Sequence, residues 1–272
     1  MTDVAWRVAS SRLGWFVAAT FVVGMAIVAL GQFHIIVPEP EFSPSATFVD
    51  DILAGFEHAQ THRIEDQTST LLLAAGFVGL AILGTTLRRA LDRDDARGAV
   101  LAVAFLLAGA IGAASQVLFV GATVAATSPE YCDCGFLAEE IISRDMILLV
   151  AENVVFWMTD AAVVLFAVGL LAFGGMAPAV GWVPGGLVAY ARVLAVLAVL
   201  AVIWGRVGVP ILLGSDVELD FFLIGDVILL VLAGVLIPIW AAWLGRSARV
   251  AGEEEAEPPE EGTDEDAVPI GG

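Results

Sequence analysis

Six long apolar stretches, separated by short charged or turn-rich pieces, organise this chain. They fall at about 13–36, 68–87, 99–127, 146–174, 186–213 and 221–244. A helix needs about 20 consecutive, mostly apolar residues to cross roughly 30 Å of hydrocarbon, and each stretch meets that length. The residue-by-residue alternation of a membrane strand is absent, which argues against a β-barrel. The pattern predicts an all-α integral membrane bundle of six transmembrane helices over residues 1–250, followed by an acidic, disordered tail over 251–272. The first stretch has the basic flank of a signal peptide and small residues near Ala29 and Gly31. Its apolar run is longer than a typical signal core, so it reads as an uncleaved anchor. In the long loop after it, Phe48, Val49, Ile52, Leu53 and Phe56 recur at helical spacing. They predict a surface helix over 46–62 that lies on the membrane with its histidines toward water.

Composition supports the class: 59% of the 272 residues are hydrophobic. Charge then sets an orientation. All 12 basic residues are arginine and there is no lysine. Arg7 and Arg12 precede the first span, Arg88, Arg89, Arg93 and Arg97 fill the loop after the second, and Arg246 and Arg249 follow the sixth. The opposite loops hold Arg63 and Arg144. The positive-inside rule places both termini in the cytoplasm of a multi-pass plasma-membrane protein. Of the net charge of −19, nine acids lie in the tail from Glu253 to Asp266, which lacks core-forming residues. Most of the others lie in the outward loops. An acid-rich surface without lysine resembles the proteins of extreme halophiles, and it would also collect cations at an external mouth. The bilayer is the expected partner. Nucleic acid is disfavoured, because no basic patch exists beyond the membrane-flanking arginines. A homo-oligomer or other membrane-protein partners stay open.

The fourth span carries the chemistry. "AENVVFWMTD" (151–160) places Glu152, Asn153, Phe156, Thr159 and Asp160 on one helical stripe. This stripe is expected to face the bundle, because a charge facing lipid costs at least about 2.5–3.5 kcal/mol. The other face, Val155, Ala162, Val163 and Phe166, is expected to face lipid. Counting about 1.5 Å per residue, Glu152, Arg206 on span five and Asp226 on span six fall at one depth in the outer half. An arginine between two carboxylates makes buried charge tolerable, so a Glu152–Arg206–Asp226 unit is expected. Asp160 lies deeper and is the candidate proton-carrying group. Arg192, near the cytoplasmic boundary, is expected to snorkel.

Two constellations lie outside the membrane. "YCDCGF" holds Cys132 and Cys134, and "EHAQTHR" holds His58 and His62 at a spacing of four, on one helical face. Together they form a candidate zinc or copper set, in competition with a plain vicinal cysteine pair and a surface helix. "EEIISR" (139–144) has the EExxxR spacing of the CAAX-protease-like glutamate peptidases, but that family also needs histidines on later helices and none follows His62. Without lysine there is no retinal Schiff base and no P-loop, and neither HExxH, GxSxG nor GxGxxG occurs. No cofactor is expected. "FVGLAILG" (77–84) and "AVGLLAFG" (167–174) superpose Gly79 on Gly169 and Gly84 on Gly174. Small residues recur wherever membrane helices pack closely, so this similarity reads as packing.

The layout of "LGTTLRRALDRDDARGA" (83–99) and "AVGLLAFGGMAPAVGWVPGGLVAY" (167–190) resembles a family of small uncharacterised prokaryotic membrane proteins with an unassigned domain. The resemblance covers residues 68–213 and implies the polytopic fold, with no catalytic residues. Val183 stands before Pro184, where that family commonly has a basic residue. The sequence thus points to a non-enzymatic structural or accessory membrane protein. The alternatives are a small-solute or proton-coupled transporter using the Glu152, Asp160, Arg206 and Asp226 groups, or an external metal or redox site.

Overall fold

The structure, a computed structural model, describes residues 3–32, 47–127, 138–204, 228 and 230–256. Every regular element among them is helical. The helices are α1 (Asp3–Gln32), α2 (Phe48–Thr61), α3 (Arg63–Ala90), α4 (Ala96–Thr127), α5 (Ala138–Met176) and α6 (Gly185–Ile203). A π-helical turn (Leu232–Leu236) leads into α7 (Ile237–Ala256). Five segments are long and apolar enough to cross a membrane: Val4–Gly31, Arg63–Ala90, Ala96–Ala126, Ile142–Ala179 and Gly185–Ile203. The sixth expected span, 221–244, falls partly outside the described residues. α7 runs on to Ala256, past residue 250 where the sequence places the start of the tail.

The long helices pack in chain order: α1 on α3, α3 on α4, α4 on α5, α5 on α6. α7 then returns to pack on α1 and touches α6, which closes the bundle. In lipid the apolar surface gives little drive for helices to associate, so close van der Waals fit has to supply it. The sequence meets that need with glycine at the crossings. A Cβ on Gly14 would sit 2.6 Å from the Ala241 carbonyl and 3.1 Å from the Cα of Gly245. One on Gly245 would meet the Ser11 carbonyl at 3.0 Å, so α1 and α7 cross backbone to backbone. On the other side of the bundle, Gly109 and Gly112 of α4 press on the Phe77 backbone and ring of α3.

The half of the bundle nearer the arginine-rich α3–α4 turn is solid. Trp240 is fully buried there, stacked on Phe105 (5.7 Å, 8°) and edge-on to Phe166 (5.7 Å) and Phe173 (6.0 Å). Phe105 fits between α3 and α5 because Gly84 and Gly169 both leave room for it. Such aromatic pairs contribute about 0.5–1.5 kcal/mol each beyond the area they bury. The two glycines aligned by the apparent repeat therefore serve one packing slot.

The turns follow from local chemistry. At the end of α3 the Asp92 N–H donates to the Arg89 carbonyl and the Arg93 N–H to that of Arg88. Asp92 itself is left-handed (φ 49°). This is a Schellman ending, with Asp in the place usually held by Gly. Asp95 then caps α4, its Oδ1 accepting from the Gly98 N–H at 2.9 Å. The π turn has its cause in Pro238, which lacks the N–H for a normal helical bond and crowds the preceding turn. The Ile237 N–H reaches back to the Leu232 carbonyl, and the Tyr190 hydroxyl of α6 donates to the Leu236 carbonyl at 3.0 Å. At the opposite end, α2 starts with a capping box. The Thr47 N–H donates to Asp50 Oδ2 (2.9 Å) and the Asp50 N–H to Thr47 Oγ1 (3.4 Å). The Thr47 hydroxyl, then its N–H, hold the exposed Asp50 carboxyl below the usual carboxylate range.

Candidate functional site: two chambers sharing Phe119

The half of the bundle nearer α2 is not solid. A chamber of about 480 Å³ opens between α1, α3, α4, α5 and the π turn. Most of its wall is apolar: Phe21 and Met25 from α1, Leu73, Phe77 and Leu80 from α3, Leu232 and Ala233 from the π turn. Three polar side chains interrupt it, namely Gln116 on α4 and Glu152 and Thr159 on α5. Phe166 and Ile237 close it toward the Trp240 cluster.

The register of α5 explains why these groups share a wall. Asp145, Glu152, Thr159, Phe166 and Phe173 are spaced by seven residues, hence by two turns, and lie along one helix face. That face grades from acid through hydroxyl to buried ring, so one helix supplies both the polar wall and the aromatic plug. Thr159 Oγ1 donates to the Val155 carbonyl (2.9 Å) and lies 3.5 Å from Ser115 Oγ of α4. Ser115 in turn donates to the Gly112 carbonyl (2.7 Å). Both hydroxyl protons are thus spent on their own helices, leaving oxygen lone pairs as acceptors. Glu152 is half-buried and has no ion-pair partner among the described residues.

A second chamber, about 360 Å³, lies toward α2 and is far more polar. His58, Arg63, Glu65, Asp66, Thr70 and Thr123 line it. Phe119 lines both chambers and forms a wall common to them. Sequence reasoning passed over Phe119 and Gln116. The available signal was Ser115–Gln116, a polar pair interrupting the most apolar part of the third stretch.

Of the residues singled out in the sequence, Glu152 lines the apolar chamber as expected of an inward group. Asn153 does not: it is exposed on the outer face, its amide donating to the Leu149 carbonyl one turn back at 2.9 Å. Asp160 is half-buried and stands off the chamber wall. The face expected to meet lipid is largely the buried one, with Ala162, Val163 and Phe166 at 1%, 8% and 2% exposure. α5 is apolar all round, so hydropathy could not orient it; small side chains against α4 do so instead. Arg192 is also corrected. It does not simply reach for the interface, because its Nη2 donates to the Gly174 carbonyl at 2.6 Å, near the C-terminus of α5. A cation there satisfies an orphan carbonyl and complements the helix dipole.

Arg206, Asp226, Cys132 and Cys134 lie outside the described residues. His58 and His62 stand together, their ring centroids 4.8 Å apart, and His58 turns into the polar chamber. Among the described residues no group of three or more His, Cys, Asp or Glu side chains is placed to hold a metal. "EEIISR" occupies the first turns of α5. Compared with protein-family models, curated proteins and solved structures, the chain matches none.

Proposed function

We propose that this is a multi-pass membrane protein that takes a small solute from its acidic face, through the polar chamber, into the chamber beside Glu152. The observation that carries this reading is the sequence of two chambers with Phe119 in common. A purely structural bundle has no use for a half-buried carboxylate facing an unfilled volume, since small-residue packing is the cheaper way to join helices in lipid. Binding sites of about 300–1,000 Å³, mostly apolar with a few convergent polar groups, are the common form of a small-molecule pocket. The arginine distribution supports a basic end in the cytoplasm and a polar chamber facing outward.

Cysteine accessibility tests this. With Cys132 and Cys134 replaced by alanine, Gln116→Cys should react with a small, water-soluble methanethiosulfonate in the purified full chain. Val117→Cys, whose parent side chain is 59% exposed on the outside of the bundle, should stay protected by lipid or detergent. Equal protection of both would mean a dry interior and would return the protein to the accessory class.

A further inference from the structure

We infer that the occupant of the inner chamber is a lipophilic monovalent cation: an organic ammonium or phosphonium carrying its charge on an apolar body. This rests on the reading of the chamber as a solute site. The charge balance comes first. Glu152 is the one ionisable side chain on the chamber wall, and no basic residue lines it. Asp145, two turns up the same face, adds a second negative charge near Glu152. From the other elements the wall receives only uncharged groups, such as Met25, Phe77, Gln116 and Leu232. The nearest lining cation in the polar chamber, Arg63, is accompanied there by Glu65 and Asp66.

A carboxylate without a counter-charge in a low-dielectric wall is costly, and an occupant bearing one positive charge removes that cost. The rest of the wall selects the kind of cation. One carboxylate, one amide and one hydroxyl cannot replace the hydration shell of a hard metal ion, which needs six or more oxygens. Anions are excluded by the absence of a lining cation. Phe21, Phe77, Phe119, Phe156 and Phe166 instead surround the volume with rings, whose negative faces attract a diffuse positive charge and whose area suits an apolar body. A volume of about 480 Å³ admits one such molecule.

The test is equilibrium binding of tetraphenylphosphonium to the purified full chain in detergent, beside triphenylmethane as a neutral probe of similar shape. Wild type should bind the cation saturably. Glu152→Gln should weaken that binding by about tenfold or more while leaving the neutral probe's affinity unchanged, as loss of a desolvated charge interaction requires. Glu152→Asp, which keeps the charge, should restore most of the cation affinity, and Glu65→Gln in the polar chamber should leave it within about twofold. Retained neutral-probe binding shows that a variant is folded. Cation binding that survives Glu152→Gln overturns the inference, as does a preference for the neutral probe. Failure of both probes to bind wild type overturns the solute reading itself.

Discussion

Trp240 shows how far a single side chain can be asked to carry a membrane core. It is fully buried against three phenylalanine rings, yet its indole N–H has no hydrogen-bond partner. Shape, not hydrogen bonding, fixes this residue. Removing the ring should cost about 3–5 kcal/mol, the usual range for a large aromatic truncated to alanine in a packed core. Removing only the N–H should cost far less, because a buried donor left unpaired is itself a penalty of about 1–3 kcal/mol. In thermal or SDS-induced unfolding of the purified protein, Trp240→Phe should therefore stay within about 1 kcal/mol of wild type while Trp240→Ala falls well below it. Equal loss in both variants would mean that the N–H has a partner after all. Glu152 and Asn153 make the complementary point. They are neighbours in sequence, but a helix turns by about 100° per residue, which leaves one on the chamber wall and the other outside. The outer one is tolerable because its amide is satisfied by its own helix.

At the scale of elements, the sequence made lengths and order readable and left faces obscure. Expected spans at 68–87, 99–127 and 146–174 sit inside α3, α4 and α5. The surface helix expected over 46–62 appears as Phe48–Thr61, because its apolar spacing and the Thr47–Asp50 box both act locally. Which side of α5 faces inward was not readable. With apolar residues on every side, orientation depends on where Gly84, Gly169 and Phe105 let neighbouring helices approach, a property of pairs of helices. The polar wall was half visible: Glu152 and Thr159 stood out, whereas Gln116 gains meaning only when α4 meets α5. Arg192 was legible as a charge near a boundary and opaque as a partner of Gly174. The α1–α7 crossing gives the prediction that belongs here. Gly14→Leu forces a side chain into the Ala241 carbonyl and the Gly245 backbone, which cannot yield as a flexible side chain would. It should separate these helices and lower stability by about 1–3 kcal/mol or more, as overpacking does. Gly121→Leu on α4, with open space around its Cβ position, should be tolerated in the same melting assay.

At the scale of the molecule, two gradients run along the same axis. The α3–α4 turn, the start of α1 and the end of α7 gather Arg7, Arg12, Arg88, Arg89, Arg93, Arg97, Arg246 and Arg249 at one end. Arg7 Nη1 donates to the Ala251 carbonyl (3.5 Å), tying the start of α1 to the end of α7. Packing follows the same direction, solid around Trp240 at the basic end and hollow beside Glu152 toward α2. A chamber that must exchange solute with one side has reason to be sealed on the other, so packing and charge together assign the hollow half to the outside. The positive-inside rule makes this assignment testable without any ligand. In a background lacking Cys132 and Cys134, Asp94→Cys and Glu65→Cys place single thiols at opposite ends. Asp94 is 71% exposed in the α3–α4 turn, and Glu65 lines the polar chamber. On intact cells a membrane-impermeant maleimide should label Glu65→Cys and leave Asp94→Cys unmodified until the membrane is permeabilised. The reverse pattern would invert the bundle, turn the polar chamber toward the cytoplasm, and make the same pair of chambers a path for solute leaving the cell interior.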